Sequence, residues 1–294
     1  MYRYVIKRLL FLIPTVLGVT FIIFLVLSMT PGDPGRSILG VSAPQEAVDQ
    51  LNEELGVNDP FLVRYADYIK DIVVEQDFGT SYVTKQPVFA EVLPRFIVTL
   101  KLSLIGMILS TIIGVPLGML AAVKQYSPLD TIPSLISFFL AAIPAFVLGM
   151  VLLFVFSLNF NILPSYGLDT WKSYIMPSLT MAIPIAAINI RFTKSSMLES
   201  IREDFIRTAR AKGASEKVVI WRHALKNAML PVITNIGLNL GQLIVSRIQY
   251  KDEPVIIAGT ILIAVTFTVI MLIVDLIYAY IDPRIKAKYV RAKA

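Results

Sequence analysis

The stretch from 96 to 123 reads Phe-Ile-Val-Thr-Leu-Lys-Leu-Ser-Leu-Ile-Gly-Met-Ile-Leu-Ser-Thr-Ile-Ile-Gly-Val-Pro-Leu-Gly-Met-Leu-Ala-Ala-Val. It contains one charged residue, Lys101, and is longer than the roughly 20 apolar residues that an α-helix needs to cross a bilayer. Small residues recur in it every four positions: Gly106, Ser110, Gly114, Gly118 and Ala122. Such a row places all of them on one helix face, so the pattern predicts a membrane span that packs closely against another helix.

Five further stretches resemble this one, and together they set the fold class. Hydrophobic residues make up 56% of the 294 residues, charged residues only 16%, and the mean hydropathy is +0.71. The six apolar stretches are approximately 9–29, 96–123, 132–160, 174–192, 228–248 and 255–281. The sequence therefore predicts an all-α, polytopic membrane protein with six transmembrane helices.

Composition excludes several classes of function. Cysteine is absent and His223 is the single histidine, so a thiolate site and a multi-histidine metal cluster are both excluded. The net charge of +6 does not require nucleic acid, because basic cytoplasmic loops give a membrane protein the same sign. We expect no nucleic-acid partner and no cofactor on this chain.

The distribution of basic residues predicts the orientation. Alternating the six spans puts 18 of the 27 Lys and Arg residues on the side of the N-terminus, which is then the cytoplasmic side. Both termini are predicted to be cytoplasmic. The predicted organisation is a first span in 1–31, an extracytoplasmic loop in 32–95 that we call the cap, and a core of five spans in 96–294. Helical stretches are expected in the cap near 45–55 and 61–74.

The cytoplasmic segment between the fourth and fifth spans is the most informative one. It is basic, and its residues favour a helix on each side of a small-residue turn, where Gly213 can end the first helix and Ser215 can cap the second. The sequence predicts a helix, a turn and a second helix that returns to the membrane.

Sequence motifs in this segment resemble a known family. The run Arg207-Thr-Ala-Arg-Ala-Lys-Gly213, followed by Asn227-Ala-Met-Leu-Pro231, looks like the coupling loop of bacterial ABC-importer permeases of the dipeptide, oligopeptide and nickel branch. Other stretches resemble the same branch in the same order: Arg8-Leu-Leu-Phe-Leu-Ile-Pro14, Pro31-Gly-Asp-Pro34, Asp77-Phe-Gly-Thr-Ser-Tyr82, Leu163-Pro-Ser165, Ser195-Ser-Met-Leu-Glu199 and Asp275-Leu-Ile-Tyr-Ala-Tyr-Ile-Asp-Pro-Arg284.

The resemblance implies a function and a set of partners. The coupling loop, about 193–227, would insert a short helix into a groove of a cytoplasmic ATPase. The residues that would make this contact are Arg207, Thr208, Ala209, Arg210, Ala211, Lys212, Gly213 and Ala214. Implied partners are a second homologous permease, two ATPase subunits that bind ATP and Mg²⁺, and an extracytoplasmic substrate-binding protein. The alternative for this helix is a basic amphipathic helix lying on anionic lipid.

The resemblance further implies a transport subunit of the inner membrane without an ATPase site, which moves di- or oligopeptides by alternating access. No Gly-x-x-x-x-Gly-Lys-Ser/Thr phosphate loop occurs in the chain. The alternatives are a permease for nickel or another small solute and a proton-coupled secondary transporter. The latter would be expected to show buried carboxylates in the spans, of which Asp275 is the single deep example.

The chain departs from the family pattern after Gly241. The family continues through a Gly-rich turn and a further helix, whereas here Leu243-Ile-Val-Ser-Arg247 runs almost directly to Lys251-Asp-Glu-Pro254, so roughly twenty expected residues are missing. We interpret this as a deletion. Candidates for helix packing or for lining the pathway are Gly106, Ser110, Gly114, Gly118, Pro144, Gly237, Gly241 and Asp275.

Overall fold

The computed structural model describes residues 2–29, 32–245 and 252–281, and these are almost entirely helical. Their only extended pairing is an isolated antiparallel bridge between Thr80 and Pro87. The α-helices are α1 Tyr2–Met29, α2 Pro34–Leu39, α3 Gln45–Glu54, α4 Phe61–Lys70, α5 Val88–Val123, α6 Pro128–Ala142, α7 Ala145–Leu152, α8 Ile175–Arg202, α9 Asp204–Ala211, α10 Glu216–Val218, α11 Leu225–Val245 and α12 Glu253–Ile281. The helices predicted near 45–55 and 61–74 are confirmed as α3 and as α4 with the π-helical turn Asp71–Glu75.

Among the residues that the structure describes, four helical segments are long and apolar enough to cross a membrane: Leu9–Met29, Val88–Val123, Trp171–Arg202 and Glu253–Tyr278. The predicted third span is sharply bent: α6 and the helix that starts with α7 meet at an angle of 98°. Ile143, which precedes Pro144, is extended with φ −75° and ψ 123°, as the proline ring requires. Counting the bent pair as one span gives five.

The predicted fifth span does not belong to that set. Residues 225–245 form α11, but the side chains from 241 on and all of residues 246–248 lie outside the described part of the chain, so the described part of this helix is too short for that set. The all-α, multi-span membrane fold is thus confirmed, whereas the number of six spans is not.

The described helices divide into two compact units. One unit comprises Met1–Val98 and Val245–Leu272, and the other comprises Thr99–Ile244 and Ile273–Ala294. The sequence-based boundaries follow membrane topology, whereas this division follows contacts and groups the cap with α1 and most of α12.

Aromatic rings hold the first unit together. Phe21 and Phe24 of α1 contact Phe61 and Tyr65 of α4, with ring centroids 5.2–5.6 Å apart. The Tyr65 hydroxyl also lies 2.9 Å from that of Thr20. These contacts attach α4 of the cap to α1.

A buried carboxylate fixes the start of α12 in the same unit. Asp252, which is 2% exposed, accepts hydrogen bonds from the Ser81 hydroxyl and from the backbone N–H groups of Tyr82 (3.1 Å) and Val83 (3.3 Å). Ser81 and Tyr82 belong to the family-like stretch 77–82. That stretch therefore anchors the segment that follows the apparent deletion.

The second unit is built around the contact between α5 and α8. A Cβ atom placed on Gly114 would lie 2.5 Å from the Cβ of Asn189, and one on Gly118 would lie 2.5 Å from the carbonyl oxygen of Ile190. At Gly106 the nearest atom, the Cβ of Met181, would lie at 3.3 Å. Real Cβ atoms essentially never approach to 2.5 Å, so at Gly114 and Gly118 the two backbones can meet only because these positions are glycine, whereas the 3.3 Å at Gly106 is a tight contact.

Candidate functional site

The coupling loop begins where α8 ends. Glu203 is extended, with φ −70° and ψ 151°, and α9 starts directly after it at Asp204. The second limb consists of α10 and the π-helical turn Val219–Ala224, which leads into α11. The helix, turn and returning helix predicted from the sequence are confirmed.

A glycine turn ends α9. Gly213 has φ +80°, a left-handed conformation that other residues adopt at a cost. Its N–H donates to the carbonyl oxygen of Arg210 at 2.9 Å, and the N–H of Ala214 donates to the carbonyl oxygen of Ala209 at 3.2 Å. This pair of bonds is a Schellman motif. Ser215 occupies the N-cap position of α10 as predicted, but its side chain makes no capping hydrogen bond.

One face of the loop is buried in the protein itself. Ile206 is fully buried, Ala209 is 8% exposed, and Ala214 packs against the same apolar cluster. The other buried members of this cluster are Ala122, Met197, Val219, Ile220, Ala224 and Ala228. Ala209 and Ala214 were expected to contact a partner, but both lie against this cluster of their own chain, Ala209 on the same face of α9 as Ile206 and Ala214 in the turn that follows α9.

The opposite face is open. Arg207, Thr208, Ala211, Lys212 and Gly213 are all exposed, and a Cβ placed on Gly213 would have no atom within 4 Å. This outer face is defined by those five residues. It combines two small residues with three polar or basic ones and remains accessible to another molecule.

Two ion pairs shape the charge of the loop. The Arg210 guanidinium bonds to both carboxylate oxygens of Glu216, at 2.7 Å and 3.2 Å, and so joins α9 to α10 across the turn. This hydrogen bond lowers the pKa of Glu216 and raises that of Arg210. Arg207 lies 3.5 Å from Asp204, whereas Lys212 has no ion pair among the described residues. Arg210, expected to meet an acidic partner group, is thus already paired within the chain.

A polar cleft of about 540 Å³ opens beside the start of α9. It is lined by Ser195, Leu198, Glu199, Arg202, Glu203 and Asp204. Three of these residues belong to the stretch 195–199, which resembles the permease family and for which the sequence predicted no role. Within the described ranges, no group of three or more His, Asp or Glu side chains has the arrangement of a metal site.

The remaining candidates are dispersed. Pro144 lies at the bend between α6 and α7, Gly237 is buried in α11, and Asp275 is half-buried in α12. Gly241 belongs to α11, but its surroundings lie outside the described part of the chain. Ser110 is fully buried between α5 and α8.

The sequence did not reveal an ion pair that joins α6 to α8. Asp130, 6% exposed, accepts hydrogen bonds from Lys194, from the Ser134 hydroxyl (3.1 Å) and from the N–H of Tyr126 (3.0 Å). The sequence shows only that Asp130 and Lys194 each lie near the end of an apolar stretch. Their pairing requires knowledge of which helices are neighbours.

Comparison with known proteins supports the same assignment along the whole chain. Residues 114–245 match the family described as "Binding-protein-dependent transport system inner membrane component", and residues 1–103 match the N-terminal family "Binding-prot-dependent transport system membrane comp, N-term". The first match ends at 245, close to Gly241, where the apparent deletion was placed.

Similar proteins include the glutathione transport system permease protein GsiC of Escherichia coli strain K12 and that of Salmonella typhi. They are 40% and 39% identical to this chain over 307 aligned positions, which cover 98% of this chain and 100% of each relative. The alignment is longer than the 294 residues of this chain, as expected if this chain lacks a segment that its relatives have.

A solved structure, an amino acid ABC transporter with histidines, matches 67% of this chain and 96% of its own, with 17% identity and a TM-score of 0.45. The sequence relationship is the stronger of the two, because it extends end to end at 39–40% identity. The chain therefore belongs to the family of binding-protein-dependent transport system inner-membrane components, and it is a permease subunit of an ABC importer.

Proposed function

We propose that the chain forms half of the translocation pathway of an importer for short peptides, with the tripeptide glutathione as the first candidate substrate. The observation that carries this proposal is the end-to-end similarity to two glutathione transport permeases, at 39–40% identity. The pathway would be completed by a second homologous permease. Two cytoplasmic ATPase subunits would bind ATP and Mg²⁺, and an extracytoplasmic binding protein would deliver the peptide.

In this proposal the outer face of the coupling loop receives the ATPase. Thr208, Ala211 and Gly213 allow close approach of a partner backbone, while Arg207 and Lys212 supply positive charge to acidic groups around the contact. The inner face transmits the resulting force, because Ile206 and Ala209 are packed into the same apolar cluster as Met197 of α8. Closure of the ATPase dimer would then move α8 and α11 together and drive alternating access.

The proposed topology follows from this arrangement. The coupling loop and both termini would be cytoplasmic, and the cap would face the binding protein outside the inner membrane of a bacterium or archaeon. Labelling tests the topology: a cysteine at Thr208 should react with an impermeant thiol reagent only after permeabilisation. A cysteine at Val41, which is 88% exposed in the cap, should react in intact cells.

Uptake by a reconstituted complex tests the function. We expect vesicles containing both permeases, the ATPases and the binding protein to accumulate labelled glutathione or dipeptides when ATP is supplied on the ATPase side. Accumulation of Ni²⁺ instead would assign the nickel alternative. Uptake driven by a proton gradient without ATP would contradict the proposal.

The Ala211→Trp variant tests the outer face within the same system. Ala211 is exposed and helical, so a large side chain fits without disturbing the interior and should block ATPase docking. We expect co-purification of the ATPases to fall at least about tenfold, a change of about 1.4 kcal/mol. Lys217→Trp, on exposed α10, is the matched control and should retain the ATPases. Equal retention by both variants would remove the outer face as the docking site.

A further inference from the structure

A single buried carboxamide joins three helices of the second unit. Asn189 lies near the middle of α8 and is 1% exposed. Its Nδ2 group donates to the hydroxyl of Ser110 on α5 at 3.5 Å, and its Oδ1 atom accepts from Nδ2 of Asn235 on α11 at 3.1 Å. The side chain thus bonds to one neighbouring helix through its donor and to another through its acceptor.

The position of Asn189 is fixed by its surroundings. Gly114 of α5 faces it so closely that a Cβ there would lie 2.5 Å from the Cβ of Asn189. The flanking residues on α8, Ala186, Ala187 and Ile190, are buried and apolar. A carboxamide in such surroundings has no solvent to replace a lost partner, so an unsatisfied polar group there is strongly unfavourable. The bonds of Asn189 therefore favour one arrangement of α5, α8 and α11.

The same helix continues into the coupling loop. Asn189 and Arg202, the last residue of α8, are thirteen positions apart, about 20 Å at the rise of an α-helix, and the extended Glu203 then joins α8 to α9. Two further bonds attach this part of α8 to its neighbours: Lys194 pairs with Asp130 of α6, and the Ser200 hydroxyl donates to the carbonyl of Ala224 at 2.9 Å. The part of α8 between Asn189 and the coupling loop is thus a continuous helix tied to both α6 and the returning limb of the loop.

Prolines lie beside both asparagines of the network. Pro184 precedes Asn189 by five residues on α8, and Pro231 precedes Asn235 by four on α11. Each proline removes one backbone hydrogen bond from its helix, which makes bending easiest there. The cross-helix bond between the asparagines thus adjoins the points at which the two helices can flex.

We propose that Asn189 is a positioning residue that passes movement of the coupling loop to α5 and α11 through its two hydrogen bonds. The proposal rests on the proposed function, in which a partner ATPase moves the loop. Asn189 does not contact substrate in this arrangement, because its side chain is enclosed by its own chain. Its role is to make the membrane-embedded helices of the second unit respond together.

The test compares two asparagines in the reconstituted transporter. Asn189→Leu removes both cross-helix bonds at similar volume. Asn239→Leu is the matched control, since Asn239 lies one turn after Asn235 and its Nδ2 atom has no hydrogen-bond partner among the described residues. We expect Asn189→Leu to lower peptide uptake per ATP hydrolysed by about fivefold or more, the lower range of typical coupling between sites. Asn239→Leu should keep the wild-type ratio.

The ratio of peptide uptake to ATP hydrolysis distinguishes a loss of coupling from a loss of folded protein. A merely structural role would reduce uptake and ATP hydrolysis together with the amount of complex and would leave their ratio unchanged, which would overturn the proposal. If Asn189→Leu does not assemble, Asn235→Ala removes only the bond between α8 and α11 and should still lower the ratio. An unchanged ratio in an assembled Asn235→Ala complex would also overturn it.

A second readout separates this inference from the proposed substrate. Stimulation of ATP hydrolysis by the binding protein requires coupling across the membrane, whichever solute is carried. We expect Asn189→Leu to reduce that stimulation and Asn239→Leu to preserve it. Should the wild-type complex import no peptide but still show this difference, the substrate proposal would fail and the role of Asn189 would stand.

Discussion

Small residues are used in opposite ways at the contact between α5 and α8 and in the coupling loop. At Gly114 and Gly118 an added Cβ would lie 2.5 Å from an atom of α8, so the absent side chains are what lets the helices meet. At Gly213 an added Cβ would meet nothing within 4 Å, and the glycine is needed for its φ of +80°. The first region uses glycine for space, and the second uses it for backbone conformation.

This difference explains why one region is structural and the other accessible. Within the spans, packing by shape is the main attraction between helices, since lipid removes most of the hydrophobic driving force. In the coupling loop, Ile206 supplies the buried volume and leaves the small residues of the outer face uncovered. A surface of small residues over a rigid interior suits docking by another protein.

The largest effect should come from filling the space at Gly114. Gly114→Leu forces the α5 and α8 backbones apart and also displaces Asn189, so we expect a loss of about 3 kcal/mol or more in the free energy of unfolding. Thermal unfolding in detergent, followed by tryptophan fluorescence, measures it. Gly18→Leu on α1 is the control, because nothing lies within 4 Å of a Cβ there. Equal destabilisation by both variants would contradict the role assigned to Gly114.

A smaller and more local effect is expected at Gly213. Gly213→Ala introduces no clash but forces alanine into the left-handed region, which costs about 1–2 kcal/mol. We expect faster hydrogen–deuterium exchange in residues 204–218 and unchanged exchange in α5. Gly213→Asn should lie between wild type and alanine, because asparagine tolerates this conformation better. Identical behaviour of the two variants would show that conformation is not the reason for glycine.

Much of the fold was predictable from the sequence, because the length of the apolar stretches and the spacing of small residues reflect the demands of the bilayer. Apolar length identified the spans, and the four-residue spacing from Gly106 to Ala122 identified a packing face of α5. The size of the bend at Pro144 was not predicted, because a proline within an apolar run can produce a modest kink or a complete break. Which one forms depends on the helices around it, and α6 and α7 both pack on α8.

The helices of the coupling loop were predictable, but the contacts of their side chains were not. The sequence located α9, the turn at Gly213 and the returning helix, yet it assigned Ala209 and Arg210 to a partner. Burial of Ala209 depends on the neighbouring cluster, and pairing of Arg210 depends on Glu216 across the turn. The bond between Asn189 and Asn235 was likewise invisible, because it joins residues 46 positions apart on different helices.

The smallest expected effect concerns the ion pair that closes the coupling loop. The hydrogen bond from Arg210 holds the pKa of Glu216 below its ordinary value of 4.5. A carboxylate with a lowered pKa stabilises the folded loop above that ordinary value, and the contribution is lost as the pH falls through the lowered pKa. We therefore expect exchange of the Gly213 and Ala214 amides, corrected for intrinsic rate, to be constant from about pH 8 to pH 5 and to rise below pH 4.5. Both side chains are well exposed, so the change should be slight and weaker at high salt.

Glu216→Gln should remove the pH dependence, and a step near neutral pH in the wild type would assign it to another group. A rise below pH 4.5 that persists in Glu216→Gln would assign the pH dependence to another carboxylate of the loop, such as Asp204 beside Arg207, and would contradict the role given to the pair of Arg210 and Glu216.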